Sequence, residues 1–325
     1  MKHNLKITAI LLTMFIMTQF IGIYVVDYYS PVKVVDGKQV NVSAHSLPFG
    51  LETPKIEKES DYSNFFYTIL FAFIIAIFLL FLLSKFKLAF ILKAWFFVVV
   101  SIALVISFFI LTNKLNIEKI LFGFVPLIAT LVAVPLAIMK IYGKNFLVHN
   151  STELFIYPGI AAIFVPILNI WTIIILLIII SIYDIWAVWH SGIMQKMAKY
   201  QINKLNVFSG FFVPYISKKL KLKLKKMKKS GLKKKKIKVN VAILGGGDVI
   251  FPIITAGVML KTIQKLPFGL KPFVGGPYPA LFVIAGATIG LGCLFFFAKK
   301  KKFYPAMPFI TAGIFAGIIL SYIIF

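Results

Sequence analysis

Two aspartates lie inside long apolar stretches of the chain, Asp184 in "SIYDIWAVWH" and Asp248 in "LGGGDVIFPII". A carboxylate surrounded by hydrocarbon is costly, so a residue of this kind is a candidate for function. Two carboxylates that meet in a low-dielectric site share a proton, because both cannot ionise cheaply. The ionised one can then take a proton from water while the protonated one polarises a carbonyl. Such a pair has the chemistry of aspartic peptide hydrolysis, which requires no metal.

The glycines before Asp248 favour the same interpretation. "GGGD" fits the pattern Gly-x-Gly-Asp, with Gly245 and Gly247 in the glycine positions. Glycines let another backbone approach closely and loosen a helix, and a hydrolase must bring a substrate main chain against its aspartates. Glycine triplets also serve plain helix packing. A pair of intramembrane carboxylates would equally suit a transporter or a cation leak channel, and this alternative stays open on these residues alone.

Composition places the chain in a membrane. Its 325 residues are 60% hydrophobic, include 34 phenylalanines and have a mean hydropathy of +0.94. Long apolar runs recur throughout, which predicts an all-α, polytopic membrane protein. A single cysteine, Cys293, and four scattered histidines exclude a disulfide framework, a cysteine-rich metal site and a His-Glu-x-x-His zinc protease. We therefore expect neither a metal nor another cofactor.

Apolar segments of about 20 residues predict nine transmembrane spans. The run 154–189 is far too long for one helix across a bilayer, so we divide it at "VPILN", residues 165–169, where a tight turn fits. The predicted spans are 7–26, 65–83, 90–111, 120–139, 152–169, 170–190, 241–260, 279–298 and 305–325.

Charge sets the predicted orientation. The net charge of +26 comes from 36 lysines and ten acids, and most of these lysines fall in alternate loops. The positive-inside rule then predicts a cytoplasmic N-terminus and an external C-terminus, in the cell membrane. The chain divides into a six-span segment (residues 1–190), a basic cytoplasmic loop (191–240) and a three-span segment (241–325). The basic loop is expected to lie near anionic lipid headgroups, and no nucleic-acid partner is expected.

This orientation brings the two aspartates to one depth. Asp184 lies about six residues before the cytoplasmic end of span six, and Asp248 about eight residues after span seven starts from the same face. The two carboxylates are therefore expected to meet.

Three short motifs, in order, resemble the presenilin and signal peptide peptidase superfamily of intramembrane aspartyl proteases. "YDIWAVW" is similar to its Tyr-Asp motif and "GGGD" to its Gly-x-Gly-Asp motif. The third motif, Pro-Ala-Leu at the start of the last span, is matched by "YPAMPFIT" with Met in place of Leu. A literal Pro-Ala-Leu occurs at 279–281, but it opens span eight from the outer side. Prepilin-type peptidases share Gly-x-Gly-Asp and are expected to have fewer spans and no Pro-Ala-Leu element.

The resemblance implies a microbial homologue that cleaves transmembrane protein or peptide substrates within the bilayer. It implies that the catalytic residues are Asp184 and Asp248. It further implies that substrate is bound by Tyr183, Gly245, Gly247, Pro305, Ala306, Met307 and Pro308. The orientation is similar to that of presenilins.

The sequence before Asp248 has one more feature. In "KIKVNVAIL", Ile237, Val239 and Val241 alternate with Lys238 and Asn240, which is a strand-like period with β-branched residues. We expect residues 237–241 to offer an open edge to which an unwound substrate adds as a strand. A short solvated lead-in to the helix is the alternative.

Overall fold

The computed structural model describes the chain except for a few loop and terminal segments. The described residues are 5–30, 32–35, 37–42, 45–51, 59–86, 88–123, 125–143, 145–190, 209–215, 240–264, 271–298 and 304–325. Most of the predicted basic loop 191–240 lies outside them.

Nine α-helices account for most of the described residues. Each is rich in Ile, Leu, Val and Phe over four or more turns, so that its backbone is satisfied within the helix and its side chains suit hydrocarbon. They are α1 Leu5–Tyr29, α2 Glu59–Lys85, α3 Ala89–Lys114, α4 Leu127–Tyr142, α5 Phe146–Phe164, α6 Ile170–Ile185, α7 Gly246–Lys261, α8 Pro277–Phe297 and α9 Met307–Ile324.

Seven of the described helical segments are long and apolar enough to cross a membrane. The helices α4 and α7 are shorter, with 16 residues each. At a rise of 1.5 Å per residue they extend about 24 Å, against a hydrocarbon core of about 30 Å. The predicted spans 120–139 and 241–260 were wrong at their starts, because the first residues of each form strands instead.

The all-helical prediction did not include the four two-stranded antiparallel sheets among the described residues, apart from the strand-like segment expected at 237–241. In the sheet that precedes Asp248, Gly210 pairs with Gly245 and Tyr215 with Asn240. The four pairs are β1 Val32–Val35 with β2 Lys38–Asn41, β3 Ile120–Leu121 with β4 Val125–Pro126, β5 Gly210–Tyr215 with β6 Asn240–Gly245, and β7 Ile263–Gln264 with β8 Phe273–Val274.

The predicted break between the fifth and sixth spans is confirmed. A 3-10 turn, Val165–Ile167, follows α5, and Asn169 caps α6. The Asn169 side chain accepts a hydrogen bond from Thr172 N at 2.8 Å, and Thr172 Oγ1 accepts one from Asn169 N at 2.9 Å. This reciprocal cap explains why the helix restarts at this point. By contrast, α5 begins six residues before the predicted 152, because Asn145 caps it and its polar first turns are helical.

The helix α7 lies at the centre of the main core. It packs against α1, α5 and α8, and its side chains Val249, Ile253 and Ile254 are buried with Leu11 and Phe15 of α1. A second cluster joins α3, α4 and α5. The helix α2 is exposed along most of its length, as expected for a lipid-facing helix.

Candidate active site

The two aspartates lie at the same end of two antiparallel helices. Lys261, the last residue of α7, donates from Nζ to the Pro166 carbonyl at 2.9 Å, in the turn that precedes α6. Asp184 is in the last turn of α6 and Asp248 in the first turn of α7, so each lies about 20 Å from that turn along its helix. Since α6 and α7 also contact each other, both carboxylates lie at the same end of these two helices.

Asp184 is held against the start of α9. Its side chain is buried, with 5% of the residue exposed, and Oδ2 accepts a hydrogen bond from the backbone N–H of Met307 at 3.1 Å. Met307 is the first residue of α9, where free N–H groups and the helix dipole favour a negative charge. One turn away from this end of the two helices, Ser181 Oγ of α6 donates to Thr311 Oγ1 of α9 at 2.8 Å. Two hydrogen bonds therefore fix α6 against α9.

The motif at 305–308 and the literal Pro-Ala-Leu at 279–281 lie at opposite ends of the molecule. Pro305 is buried, Ala306 is the N-cap of α9 and Pro308 follows Met307 in its first turn. The start of α8, by contrast, is joined to the far end of α7, because Gly276 N donates to the Met259 carbonyl at 2.9 Å. Met259 is about 16 Å along α7 from Asp248.

Tyr183 lies beside Asp184 with 37% of its surface exposed, and its ring centroid is 6.4 Å from that of Trp186. Directly after Asp184 and Ile185 the chain leaves α-helical geometry and forms a π-helical turn, Trp186–His190. Turns of this kind are frequent at functional sites. His190, at its end, is exposed.

The three glycines before Asp248 have three different surroundings. Gly245 ends β6, and a Cβ there would lie 3.2 Å from Asp248 Oδ2. Gly246 is the first residue of α7, and a Cβ there would lie 2.7 Å from both Tyr157 Oη and Ser209 Oγ. Gly247 is exposed, and the nearest atom to a Cβ there is 3.8 Å away, in Phe251. Gly245 thus borders the Asp248 carboxylate and Gly247 borders open space, whereas Gly246 is tightly packed.

Three residues in or against the first turn of α7 were not among the site residues predicted from the sequence. They are Gly246, Tyr157 and Gln19. Gln19 of α1 is fully buried and donates from Nε2 to the Val249 carbonyl at 3.0 Å, one residue after Asp248. Its signal in the sequence was an amide within an otherwise apolar helix. Tyr157 had no comparable signal, because a tyrosine in a membrane helix is common.

The strand expected before α7 is described from Asn240 and runs to Gly245. Residues 237–239 of that prediction lie outside the described residues. Ala242 and Leu244 are buried, whereas Val241 and Ile243 are exposed, so one face of β6 packs on the core. Only β5 pairs with β6 among the described residues.

In the described portion of the chain, His, Cys, Asp and Glu form no group of three or more that could hold a metal ion.

The chain is similar to known proteases over nearly its whole length. A family model described as "Signal-peptide peptidase, presenilin aspartyl protease" matches residues 38–325. The fold resembles the structure of a presenilin family intramembrane aspartate protease in space group C222, with 16% identity, a TM-score of 0.57 and coverage of 98% of this chain and 99% of that chain. A second such structure, in space group P2, has 16% identity, a TM-score of 0.53 and 97% coverage of each chain. No significant match was found among curated proteins.

Proposed function

Because the chain belongs to the signal-peptide peptidase and presenilin aspartyl protease family, we propose that Asp184 and Asp248 are the catalytic pair with which it hydrolyses peptide bonds of transmembrane substrates. Membership of this family identifies the protein as an intramembrane aspartic protease, and its apolar helices identify it as a multi-pass integral membrane protein. The observation that supports the assignment of residues is the common depth of the two carboxylates on the antiparallel helices α6 and α7.

In the proposed reaction, the ionised aspartate takes a proton from a water molecule, and the water oxygen bonds to the scissile carbonyl carbon. The protonated aspartate donates a hydrogen bond to the carbonyl oxygen, which acquires negative charge. The carbon–nitrogen bond then breaks, and the leaving amine takes a proton from the pair. The Met307 N–H and the α9 dipole favour charge on Asp184, whereas its burial opposes it, so the pair is proposed to share one proton between its two members.

Substrate is proposed to lie along the open side of this pair. Gly245 and Gly247 leave room for a main chain beside Asp248, and Pro305, Ala306, Met307 and Pro308 border Asp184. Tyr183 lies next to Asp184 on the exposed side of α6 and is proposed to contact the bound segment. An unwound substrate needs partners for its backbone groups, and the edge of β6 that pairs with no other described strand is proposed to supply them.

The proposed setting is the cell membrane, with a cytoplasmic N-terminus and an external C-terminus. The six-span segment and the three-span segment would then each contribute one aspartate from the cytoplasmic side. The loop 191–240 would lie near lipid headgroups on that side, since it contains a long run of lysines.

The test is cleavage of a labelled transmembrane substrate by purified protein in detergent. Asp184→Asn and Asp248→Asn should each abolish cleavage while the protein stays folded, because acid–base catalysis by such groups contributes at least about a hundredfold. The matched control is Asp27→Asn, which removes a partly exposed acid that is paired with Lys33. Cleavage by either folded active-site variant at more than about a hundredth of the wild-type rate contradicts the catalytic pair.

A further inference from the structure

The strand β5 is bonded along its outer edge by side chains of α5. Asn150 Nδ2 donates to the Phe212 carbonyl at 2.8 Å, and Phe212 N donates to Asn150 Oδ1 at 3.1 Å. One side-chain amide therefore satisfies both backbone groups of Phe212, as a neighbouring strand would.

Gly210, two residues earlier, is bonded in the same way by two other side chains. His149 Nε2 lies 2.8 Å from the Gly210 carbonyl, and Gly210 N donates to Glu153 Oε1 at 3.3 Å. A carbonyl only accepts, so Nε2 carries the hydrogen, and Nδ1 is left to accept from Lys140 Nζ at 3.3 Å. Lys140 also forms an ion pair with Glu153.

These four residues, Lys140, His149, Asn150 and Glu153, are here termed the β5 clamp. Glu153 is 1% exposed, and Lys140 and His149 are each 7% exposed. Buried charges are costly unless they are paired and hydrogen-bonded. In this cluster each charged group has a partner, and the backbone of β5 supplies two of the bonds.

The clamp determines which edge of the sheet is open. Residues in an antiparallel strand alternately direct their N–H and C=O groups toward one neighbour and the other. Gly210 and Phe212 direct theirs at α5, so β5 bonds to β6 through Phe211, Val213 and Tyr215. Pro214, which has no N–H, falls in a position that does not need one. Across the ladder, Val241 and Ile243 direct their backbone groups away from β5.

The clamped strand also leads to the start of α7. Gly246 N donates to the carbonyl of Ser209, the residue before β5, at 3.3 Å. Tyr157 of α5 packs against the same glycine, because a Cβ at position 246 would lie 2.7 Å from the Tyr157 hydroxyl. The position of Gly246, two residues before Asp248, therefore depends on how β5 is held against α5.

We propose that the β5 clamp consists of positioning residues that close the outer edge of β5 and hold the sheet so that a substrate strand adds to β6, in register with Asp248. This inference rests on the proposed function. The clamp is distinct from the aspartates because its side chains bind the enzyme's own strand.

The test combines hydrogen exchange with cleavage in detergent, on the full chain. Asn150→Leu removes both bonds to Phe212 at nearly constant volume and without changing charge. His149→Gln keeps a donor near the Gly210 carbonyl, whereas His149→Leu removes it. The matched control is Thr152→Val, because the Thr152 hydroxyl is buried on the same helix and bonds to that helix at Val148 and His149.

For Asn150→Leu and His149→Leu we expect about tenfold faster exchange of the amides in 210–215 and 240–245, since a buried bond is lost. We expect a similar fall in kcat/KM and a broader set of cleavage positions in the same substrate, because register is less fixed. His149→Gln should restore both readouts, and Thr152→Val should leave them unchanged.

The two readouts separate failure of this inference from failure of the proposed function. Unchanged exchange in Asn150→Leu and His149→Leu overturns the clamp whether or not the protein cleaves the substrate. Faster exchange with unaltered kcat/KM and cleavage positions overturns the positioning role. If the wild type cleaves no transmembrane substrate, the proposed function fails, and the positioning role fails with it, while exchange still decides whether the side chains hold β5.

Discussion

At the scale of single residues, the two aspartates differ in what surrounds them. Asp184 is buried and bonded to the first N–H of α9, whereas Asp248 is partly exposed and follows the exposed Gly247. Two carboxylates in such different surroundings suit the proposed pair, which shares one proton. Water and substrate are therefore expected to approach from the side of Gly247.

The glycines give a prediction at this scale. Gly246→Ala should reduce kcat/KM by at least about tenfold, since a methyl group there overlaps Tyr157 and Ser209 and overpacking costs about 1–3 kcal/mol. Gly247→Ala adds the same methyl group one residue later, where the nearest atom is 3.8 Å away. Cleavage rates of the two variants at equal folded concentration provide the measurement. Equal losses in both would contradict the packing described for Gly246.

At the scale of elements, α9 is held in place by close contact with α8. Glycines at 286 and 290 of α8 face glycines at 313 and 317 of α9, and a Cβ on any of these four would meet backbone of the other helix. Such small residues let two membrane helices approach closely. This contact fixes α9 along α8, and α9 in turn presents Met307 N to Asp184.

Substitution within α8 tests that support. Gly286→Ala should lower the unfolding temperature in detergent and reduce cleavage, because it overlaps the Gly313 carbonyl and the helices must separate. Gly292→Ala, on the same helix, meets no described atom within 4 Å and should be neutral or slightly stabilising. Loss of cleavage in Gly292→Ala, or none in Gly286→Ala, would show that the α8–α9 contact does not support the site.

The free edge of β6 leads to another prediction. Val241→Pro should cut kcat/KM by about tenfold, because it removes an N–H directed away from β5 without breaking the β5–β6 ladder. Val241→Ala keeps that N–H and serves as the control. Cleavage of the same labelled substrate is the measurement. Near-normal cleavage by folded Val241→Pro protein would rule out strand addition at this edge and would leave the aspartates untouched.

At the scale of the whole molecule, three distant regions of the chain converge on one end of the helix bundle. The ends of α6 and α9 meet through Asp184 and Met307, and α7 brings Asp248 to the same end. Ala306→Cys and Asp248→Cys, in a Cys293→Ala background, are expected to crosslink with a short reagent. Ala280→Cys and Asp248→Cys should not, because α8 begins near the opposite end of α7. The reverse result would assign the proline motif to 279–281.

Membrane orientation is a separate prediction for the whole chain. In right-side-out vesicles, an impermeant thiol reagent should label Lys38→Cys, in the first predicted outer loop, and not Lys87→Cys, in the predicted inner loop 84–89. Both variants need the Cys293→Ala background. Labelling of Lys87→Cys alone would invert the orientation and place the aspartates near the outer face.

The sequence by itself determined the features that depend on local chemistry. Long apolar segments specify helices in a membrane, and the Asn169 cap specifies where α6 restarts, because hydropathy and capping act within a few residues. Asp184 and Asp248 were recognisable for the same reason, since a carboxylate is conspicuous in an apolar run.

Only the tertiary structure decided the features that depend on distant partners. Gly210 pairs with Gly245 across 35 residues of sequence, so the local alternation at 237–241 indicated a strand but not that it would continue to Gly245 in place of the start of α7. Nothing in the spacing of Glu153 and Lys140 indicated that the fold would pair them and place β5 beside them. The pairing of strands and of buried charges arises from packing, which spacing along the chain does not record.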